Sequence, residues 1–502
     1  MAGYVDGLRR RGWACASAIV FLAAPAACAV GPDFQTPGAP PVGGYLSQSP
    51  LAGLPRGERV PGQEILSGVD IPERWWELFH SRHLNELVEQ GIIHNTDLQA
   101  AEAAVRAAQA NALAQRGALF PTVGASYNPS RQKIAGQVTS PLTSNADIFS
   151  LHTAQVSVGF APDVFGGTRR QIEASDALAE LQAFQREGVY LTLTSNIALA
   201  AIQEASLRGQ IGATRRLIGI QTRLLEILRR QYDSGQIAQI DVVAQETALA
   251  QARLLLPPLE KQIAQQRDLL AFLTGRFPSE EIAATFQLGS FRLPRKLPLS
   301  LPADFVRQRP DIRAAEASLR ATNAQIGVAI ANRLPQITLT GNVGSTAVAF
   351  SQLFSPGTGF WMIAGNAAQV VFDAGSLANK QKAAEEVFAQ STAQYCTTVL
   401  MAFQNVADTL RALQADARSV GASAAAERSA LRNIELVRQQ VERGQVSTPI
   451  LLNAQQAYLQ TSLARVQAEA SRLADTVALF QALGGGWWNR PDPFDPRGNA
   501  QL

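Results

Sequence analysis

Cysteine is scarce. The 502-residue chain has three, Cys15, Cys28 and Cys396. Three are too few for a disulfide scaffold, and no Cys-x-x-Cys offers a structural zinc site. Histidine is nearly as rare: His80, His83, His94 and His152 are the whole set. His80 and His83 have the spacing of one helix face, but no acidic or thiol partner follows at ligand spacing, so both read as solvated or capping residues. Charged residues make up 17%, below the ~25% usual in soluble domains. The net charge is +3, and residues 1–27 hold Arg9, Arg10 and Arg11 against Asp6, so the remainder carries about +1. That balance gives no support to a phosphate-binding basic surface. No Gly-rich phosphate loop, Ser/His/Asp set or paired His-Glu motif stands out, which leaves the chain without an enzyme signature or a cofactor site. Asp163-Val-Phe-Gly-Gly167 is Gly-rich, but it ends a strand pattern and starts a helical one. Beyond the N-terminal segment no stretch offers ~18 uninterrupted apolar residues, so no transmembrane helix is expected.

What is present begins with an export leader over residues 1–27. Arg9–Arg11 form a positive region, and Trp13 to Ala27 is apolar with small residues at its end. This layout is a cleaved secretory signal, too short to span a bilayer. Pro25-Ala-Ala-Cys28 then reads as a lipobox, in which lipid is attached to a Cys that becomes the mature N-terminus. Leu is usual three residues before that Cys, and Pro25 replaces it. Ala29 follows, not the Asp that typically holds bacterial lipoproteins in the inner membrane, so outer-membrane sorting is expected. The covalent lipid on Cys28 is the one attached group that the sequence implies.

Residues 28–70 form an extended arm, rich in Pro and Gly between 32 and 60. The same plan then appears twice. Asp97-Leu-Gln-Ala-Ala-Glu-Ala-Ala-Val-Arg106 resembles Asp311-Ile-Arg-Ala-Ala-Glu-Ala-Ser-Leu-Arg320 at an offset of 214, which still holds at Pro121 and Pro335. Further on the offset is 209: Asn196-Ile-Ala198 matches Asn405-Val-Ala407, and Gly235-Gln236 matches Gly444-Gln445. A period this long is a domain duplication. The first copy runs 71–290 and the second 291–487, with a tail over 488–502. Each reads helix, two strands, very long helix, turn, helix.

The first helices, about 97–119 and 311–333, stop at Pro121 and Pro335. Strands follow near 121–131, 150–162, 335–346 and 358–372. Val123, Ala125 and Tyr127 alternate with Thr122, Gly124 and Ser126; Val156, Val158 and Phe160 alternate with Gln155, Ser157 and Gly159. Ile337, Leu339 and Val343 oppose Thr338, Thr340 and Asn342, whereas the fourth strand is less regular. Such a sheet has one apolar and one polar face. It either covers a soluble core or stands in a membrane with a wet lumen. Four strands cannot close a barrel, because about eight or more are needed. The membrane reading therefore requires several chains to pool their strands, since an open edge is not tolerated in lipid.

No Pro interrupts Val164–Leu256 or Gly357–Thr448. The runs from Gly167 to Gly235 and from Gly375 to Gly444 suit helices of about 100 Å, at ~1.5 Å per residue. Helices this long need bundle neighbours along their whole length. The return helices, about 240–273 and 450–483, are shorter, and Pro257-Pro258 kinks the first.

Several blocks carry a family resemblance: Cys28-Ala-Val-Gly-Pro-Asp-Phe34, Trp75-Trp-Glu-Leu-Phe79, Arg309-Pro-Asp-Ile-Arg-Ala-Ala-Glu316, Ala324-Gln-Ile-Gly-Val-Ala329, Phe372-Asp-Ala-Gly375 and Ala482-Leu-Gly-Gly-Gly-Trp487. The chain resembles the outer-membrane factors, TolC-like exit ducts of Gram-negative bacteria, and within them the lipoprotein branch that partners resistance–nodulation–division pumps. The resemblance implies a mainly α protein with a membrane β-barrel. Three chains would form a twelve-stranded barrel on a periplasmic α-helical tunnel. It implies a passive exit duct for small molecules and drugs, opened at its periplasmic helix tips by an adaptor and an inner-membrane pump.

By that resemblance the tips lie at Gly235 and Gly444. Relatives carry Asp rings six and nine residues after the second Gly, where this chain has Ile450 and Asn453. Their Tyr–Arg latch is also absent, since Val441 and Val446 stand there. Asp241, six residues after Gly235, does match an acidic tip position. An apolar ring that includes Ile450 would gate by dewetting. Two other readings are a type I secretion exit duct and a periplasmic coiled-coil scaffold without a channel.

Overall fold

The computed structural model describes residues 29–38, 40–46, 63–135, 137, 144, 146–443 and 445–490. The leader, Cys28, Gly444 and the tail beyond 490 lie outside the described residues.

Near the end of the arm Glu64–Ser67 form a short strand, β1. Helices α1 (Arg82–His94) and α2 (Thr96–Arg116) follow, and a 3-10 turn at Gly117–Leu119 finishes the run before Pro121. Strands β2 (Thr122–Lys133) and β3 (Ile148–Phe160) lead into α3 (Gly167–Asp233), whose chain returns through α4 (Gln239–Leu254) and α5 (Leu256–Leu273). The second copy opens with β4 (Lys296–Leu299) and α6 (Pro302–Gln308). It continues with α7 (Pro310–Ala331), β5 (Gln336–Ala347), β6 (Gly359–Ala368), α8 (Ser376–Glu442) and α9 (Thr448–Ala482).

Helices α3 and α8 have 67 residues each, about 100 Å at 1.5 Å per residue. The kink expected at Pro257-Pro258 is a break at Leu255, just ahead of them. Pro257 lies in the first turn of α5, where its missing N–H leaves no helical bond unmade. The fourth strand stops at Ala368, short of the expected 372. Beyond it Gln369 turns aside to donate to the Arg333 carbonyl (2.9 Å), and Ala374 and Gly375 adopt positive φ before α8.

The chain divides into two compact units. One holds residues 29–36, 106–181 and 315–395, of those described. Its sheet has the order β2-β3-β5-β6, antiparallel throughout. The hairpin of the first copy joins that of the second through β3 and β5, with Val156 opposite Val343 and Thr153 opposite Thr346.

The other unit holds the described residues of 37–105, 182–314 and 396–490. Here β1 pairs in parallel with β4. Its core gathers three motifs that are distant in sequence. Trp75, Trp76, Phe79 and Phe480 are fully buried, and Trp75 stacks on Phe480 with ring centres 5.4 Å apart. Gly485 is at φ 70°, where a Cβ would sit 2.3 Å from Leu191 Cδ1. Arg309 donates to the Ala482 carbonyl (2.8 Å), and the Trp487 indole donates to the Gln308 carbonyl (2.6 Å).

Candidate functional site

The four-stranded sheet keeps the alternation of its sequence. Register places Val123, Ala125, Tyr127, Val156, Val158, Leu339, Val343, Trp361 and Ile363 on one face. Ser126, Asn128, Gln155, Ser157, Thr340, Asn342 and Asn366 share the other, where Thr153 and Thr346 hydroxyls meet at 3.1 Å. Phe360 and Met362 interrupt the polar face, which is the irregularity seen in the fourth strand. A water-soluble sheet would cover its apolar face. This one leaves Trp361 74% and Ile363 80% exposed. Toward the hairpin loops, Tyr127 stacks on His152 and its hydroxyl meets His152 Nδ1 at 2.8 Å, with Phe350 edge-on to both. Aromatic rings with a polar tip suit the boundary between hydrocarbon and water.

At the opposite end of the strands the N-terminal arm is clamped. Val30 N–H donates to the Phe165 carbonyl (3.1 Å). Arg170, a buried side chain at the start of α3, donates to the carbonyls of Val30 and Gly31 (3.2 and 3.3 Å) and to Asp33 (2.7 Å). Asn323 of α7 donates to the Pro32 carbonyl (3.0 Å). Gly166 and Gly327 let the arm lie backbone to backbone against both elements. Cys28 lies outside the described residues, but its neighbour Ala29 rests against Gly166, six residues past the end of β3.

The long helices end in matched turns. Gly235 has φ 73° with open space around its Cβ position. Its N–H closes on the Tyr232 carbonyl (2.8 Å) and that of Gln236 on Gln231 (2.8 Å), a Schellman cap that only a left-handed residue permits. In the second copy Gln445 N–H closes on Gln440 (2.9 Å), the same bond 209 residues later. Asp241 sits half-buried in the first turn of α4, where the helix dipole favours a carboxylate. Ile450, 209 residues on, occupies the first turn of α9 and is 48% exposed, and Asn453 is exposed one turn later. Both point away from the seam that Leu451 enters. Val441 is buried in that seam and Val446 is half-buried.

The seam packs Leu217, Leu224 and Leu228 of α3 with Val242 and Leu249 of α4, Ile434, Val437 and Val441 of α8, and Leu451 and Tyr458 of α9. Sequence reading missed three glutamines inside it, Gln221, Gln245 and Gln455. Their heptad spacing from these apolar residues was the available signal. It also missed Arg170 and Gly327, whose signal was the Gly within Ala324-Gln-Ile-Gly-Val-Ala329.

Over residues 87–276 and 301–485 the chain matches the outer membrane efflux protein family, and the gap between the two segments falls where one copy gives way to the next. It is 28% identical over 466 residues to the probable efflux pump outer membrane protein TtgC of Pseudomonas putida, covering 92% of this chain and 93% of that one. It is 29% identical over 461 residues to the pyoverdine export outer membrane protein OpmQ of Pseudomonas putida, covering 91% and 94%. Its fold matches that of the outer-membrane channel OprN with a TM-score of 0.82 at 25% identity, over 92% of this chain and 100% of that one.

Proposed function

The chain belongs to the outer membrane efflux protein family, and from that premise we propose that three copies close one duct, anchored by lipid on Cys28 and opened at its helix tips. It serves as the outer-membrane channel of a tripartite efflux system. The observation that carries the reading is the sheet: four strands with, among the described residues, a bare apolar face, a polar face opposite, and unpaired edges at β2 and β6.

Duplication supplies the closure. Strand β5 is the copy of β2, and β6 the copy of β3. The free edge of β6 is therefore equivalent to the edge of β3 that already pairs with β5, and β2 of a second chain offers the matching partner. Head-to-tail repetition of one contact makes a ring. Three chains give twelve strands, and lipid covers the apolar band. The polar face lines a passive lumen for small molecules.

The arm clamp supports the lipid. It brings the residue after Cys28 to the end of the strands where chains pass into the helices, so acyl chains leave beside the barrel. At the tips, Gly235 turns the chain in the first copy, Gly444 is its sequence counterpart in the second, Asp241 provides the acidic position, and Ile450 with Asn453 lines the constriction. A periplasmic adaptor and a resistance–nodulation–division pump of the inner membrane engage these turns.

Detergent extracts of the outer-membrane fraction should yield a heat-modifiable trimer that forms ion-conducting channels in planar bilayers. A folded monomer, soluble without detergent, overturns the reading. Cys28→Ala should abolish incorporation of radioactive palmitate.

A further inference from the structure

Three glutamines occupy positions in the tip seam that heptad spacing reserves for apolar residues. Gln221 lies between Leu217 and Leu224 on α3, Gln245 between Val242 and Leu249 on α4, and Gln455 between Leu451 and Tyr458 on α9. None is more than 4% exposed. Their amides close a cycle. Gln221 Nε2 donates to Gln455 Oε1 (3.0 Å), Gln455 Nε2 donates to Gln245 Oε1 (3.2 Å), and Gln245 Nε2 donates to the main-chain carbonyl of Gln221 (3.4 Å). One further tie crosses the seam nearer the turn, from Gln231 Nε2 of α3 to the Val441 carbonyl of α8 (3.2 Å).

An apolar residue would fill each of these positions without needing a partner. A buried amide is satisfied only while its partners hold one register. A polar residue in a helical seam accordingly sets register at a cost in stability. The cycle is already at its limit, because Gln221 Oε1 is buried with no donor. Sliding α9 by one turn, about 5.4 Å, breaks both side-chain bonds to Gln455 and strands amides in a dry seam. The tie also joins the two copies: α3 and α4 belong to the first, α9 to the second.

We propose that Gln221, Gln245 and Gln455 form the latch that holds the helix tips in their resting register, so that opening the duct requires these bonds to part. This rests on the reading of the chain as a duct opened at its tips. The glutamines are positioning residues. They set the relation of α9 to α3 and α4, and through it the placing of Ile450 and Asn453, which lie on the same helix ahead of Gln455.

The test is single-channel recording of the full-length trimer with Gln455→Leu, Gln245→Leu and the double substitution. Leucine keeps the seam filled and removes the cycle. Each single variant removes two of the three bonds in the cycle and should raise the open-to-closed ratio about tenfold or more, at roughly 1 kcal/mol net per buried hydrogen bond. The double variant should add little beyond either, because both break the same network. Heat stability of the trimer should be lower in each single variant, because the partner amides stay buried without a partner. Gating like the parent's in both singles overturns the latch, as do effects that multiply in the double. If Gln455→Leu does not assemble, Gln455→Asn shortens the same amide and carries the same expectation. A parent protein that forms no channel at all would instead defeat the duct reading itself.

Discussion

Gly31 and Gly327 meet backbone to backbone: a Cβ on Gly31 would lie 2.6 Å from the Cα of Gly327. A Cβ on Gly327 would in turn come within 2.8 Å of the Val30 carbonyl oxygen and of Arg170 Cγ. Gly327→Val should therefore expel the arm, at about 1–3 kcal/mol for overpacking. The measurement is limited proteolysis of purified trimers. Residues 29–36 should become cleavable while palmitate incorporation at Cys28 is unchanged. Protection equal to the parent's would show that the clamp does not hold the arm.

The duplication also sets the register between neighbouring chains. Transferring the β3–β5 pairing by the offsets 209 and 214 places Asn128 opposite Asn366 of the next copy, both on the polar face. Asn128→Cys with Asn366→Cys, in a Cys396→Ala background, should give a covalent trimer on mild oxidation. Tyr127→Cys with Asn366→Cys, which puts the two thiols on opposite faces, should not. Cross-linking of the second pair and not the first would refute the register.

Ile450 projects away from the seam on the first turn of α9. If a ring of these side chains dries the constriction, a hydroxyl should wet it. Ile450→Ser and Ile450→Gly should increase single-channel conductance severalfold with the trimer intact. Conductance at the parent level would mean that the constriction lies elsewhere.

Asp416 of α8 faces the Asp475 carboxyl of α9. Burial, then the neighbouring Asp475 carboxyl, pushes Asp416 up to about 7, with Arg472 of α9 opposing. Asp416 Oδ2 is buried with no N–H or O–H donor among the described residues, which favours the protonated carboxyl. The unfolded carboxyl titrates near 3.8. Between these values the folded chain binds more protons than the unfolded one, so stability falls as pH rises through about 4 to 7. The thermal midpoint of the trimer should be lower at pH 8 than at pH 5. Asp416→Asn should flatten that slope, and a slope unchanged in the variant would remove Asp416 as its source.

Much of this was legible in the residues. The offsets 214 and 209 locate both hairpins, and the strand alternation survives to the register of Val156 with Val343. Helices α3 and α8 begin and end 209 residues apart, at Gly167 and Ser376 and at Asp233 and Glu442. Those features are local, and a period or a proline announces them. Strand β1 was missed because four residues of parallel pairing to Lys296–Leu299 leave no periodic trace. The glutamine cycle and the Arg170 clamp were missed for a related reason. Each joins residues more than 100 positions apart, and a Gln or Arg in a helix reads as solvent-facing until the opposing helix is in place.

Asp241 and Ile450 are the same position in the two copies, one acidic and one apolar. The paired return helices differ as well, since the first is broken at Leu255 and the second runs unbroken through 35 residues. A ring of such chains therefore shows six turns of two alternating kinds. Whatever docks there from below meets threefold symmetry in chemistry but nearly sixfold symmetry in backbone. A docking protein made of identical units must either engage with three, one per chain, or place six in two unequal environments.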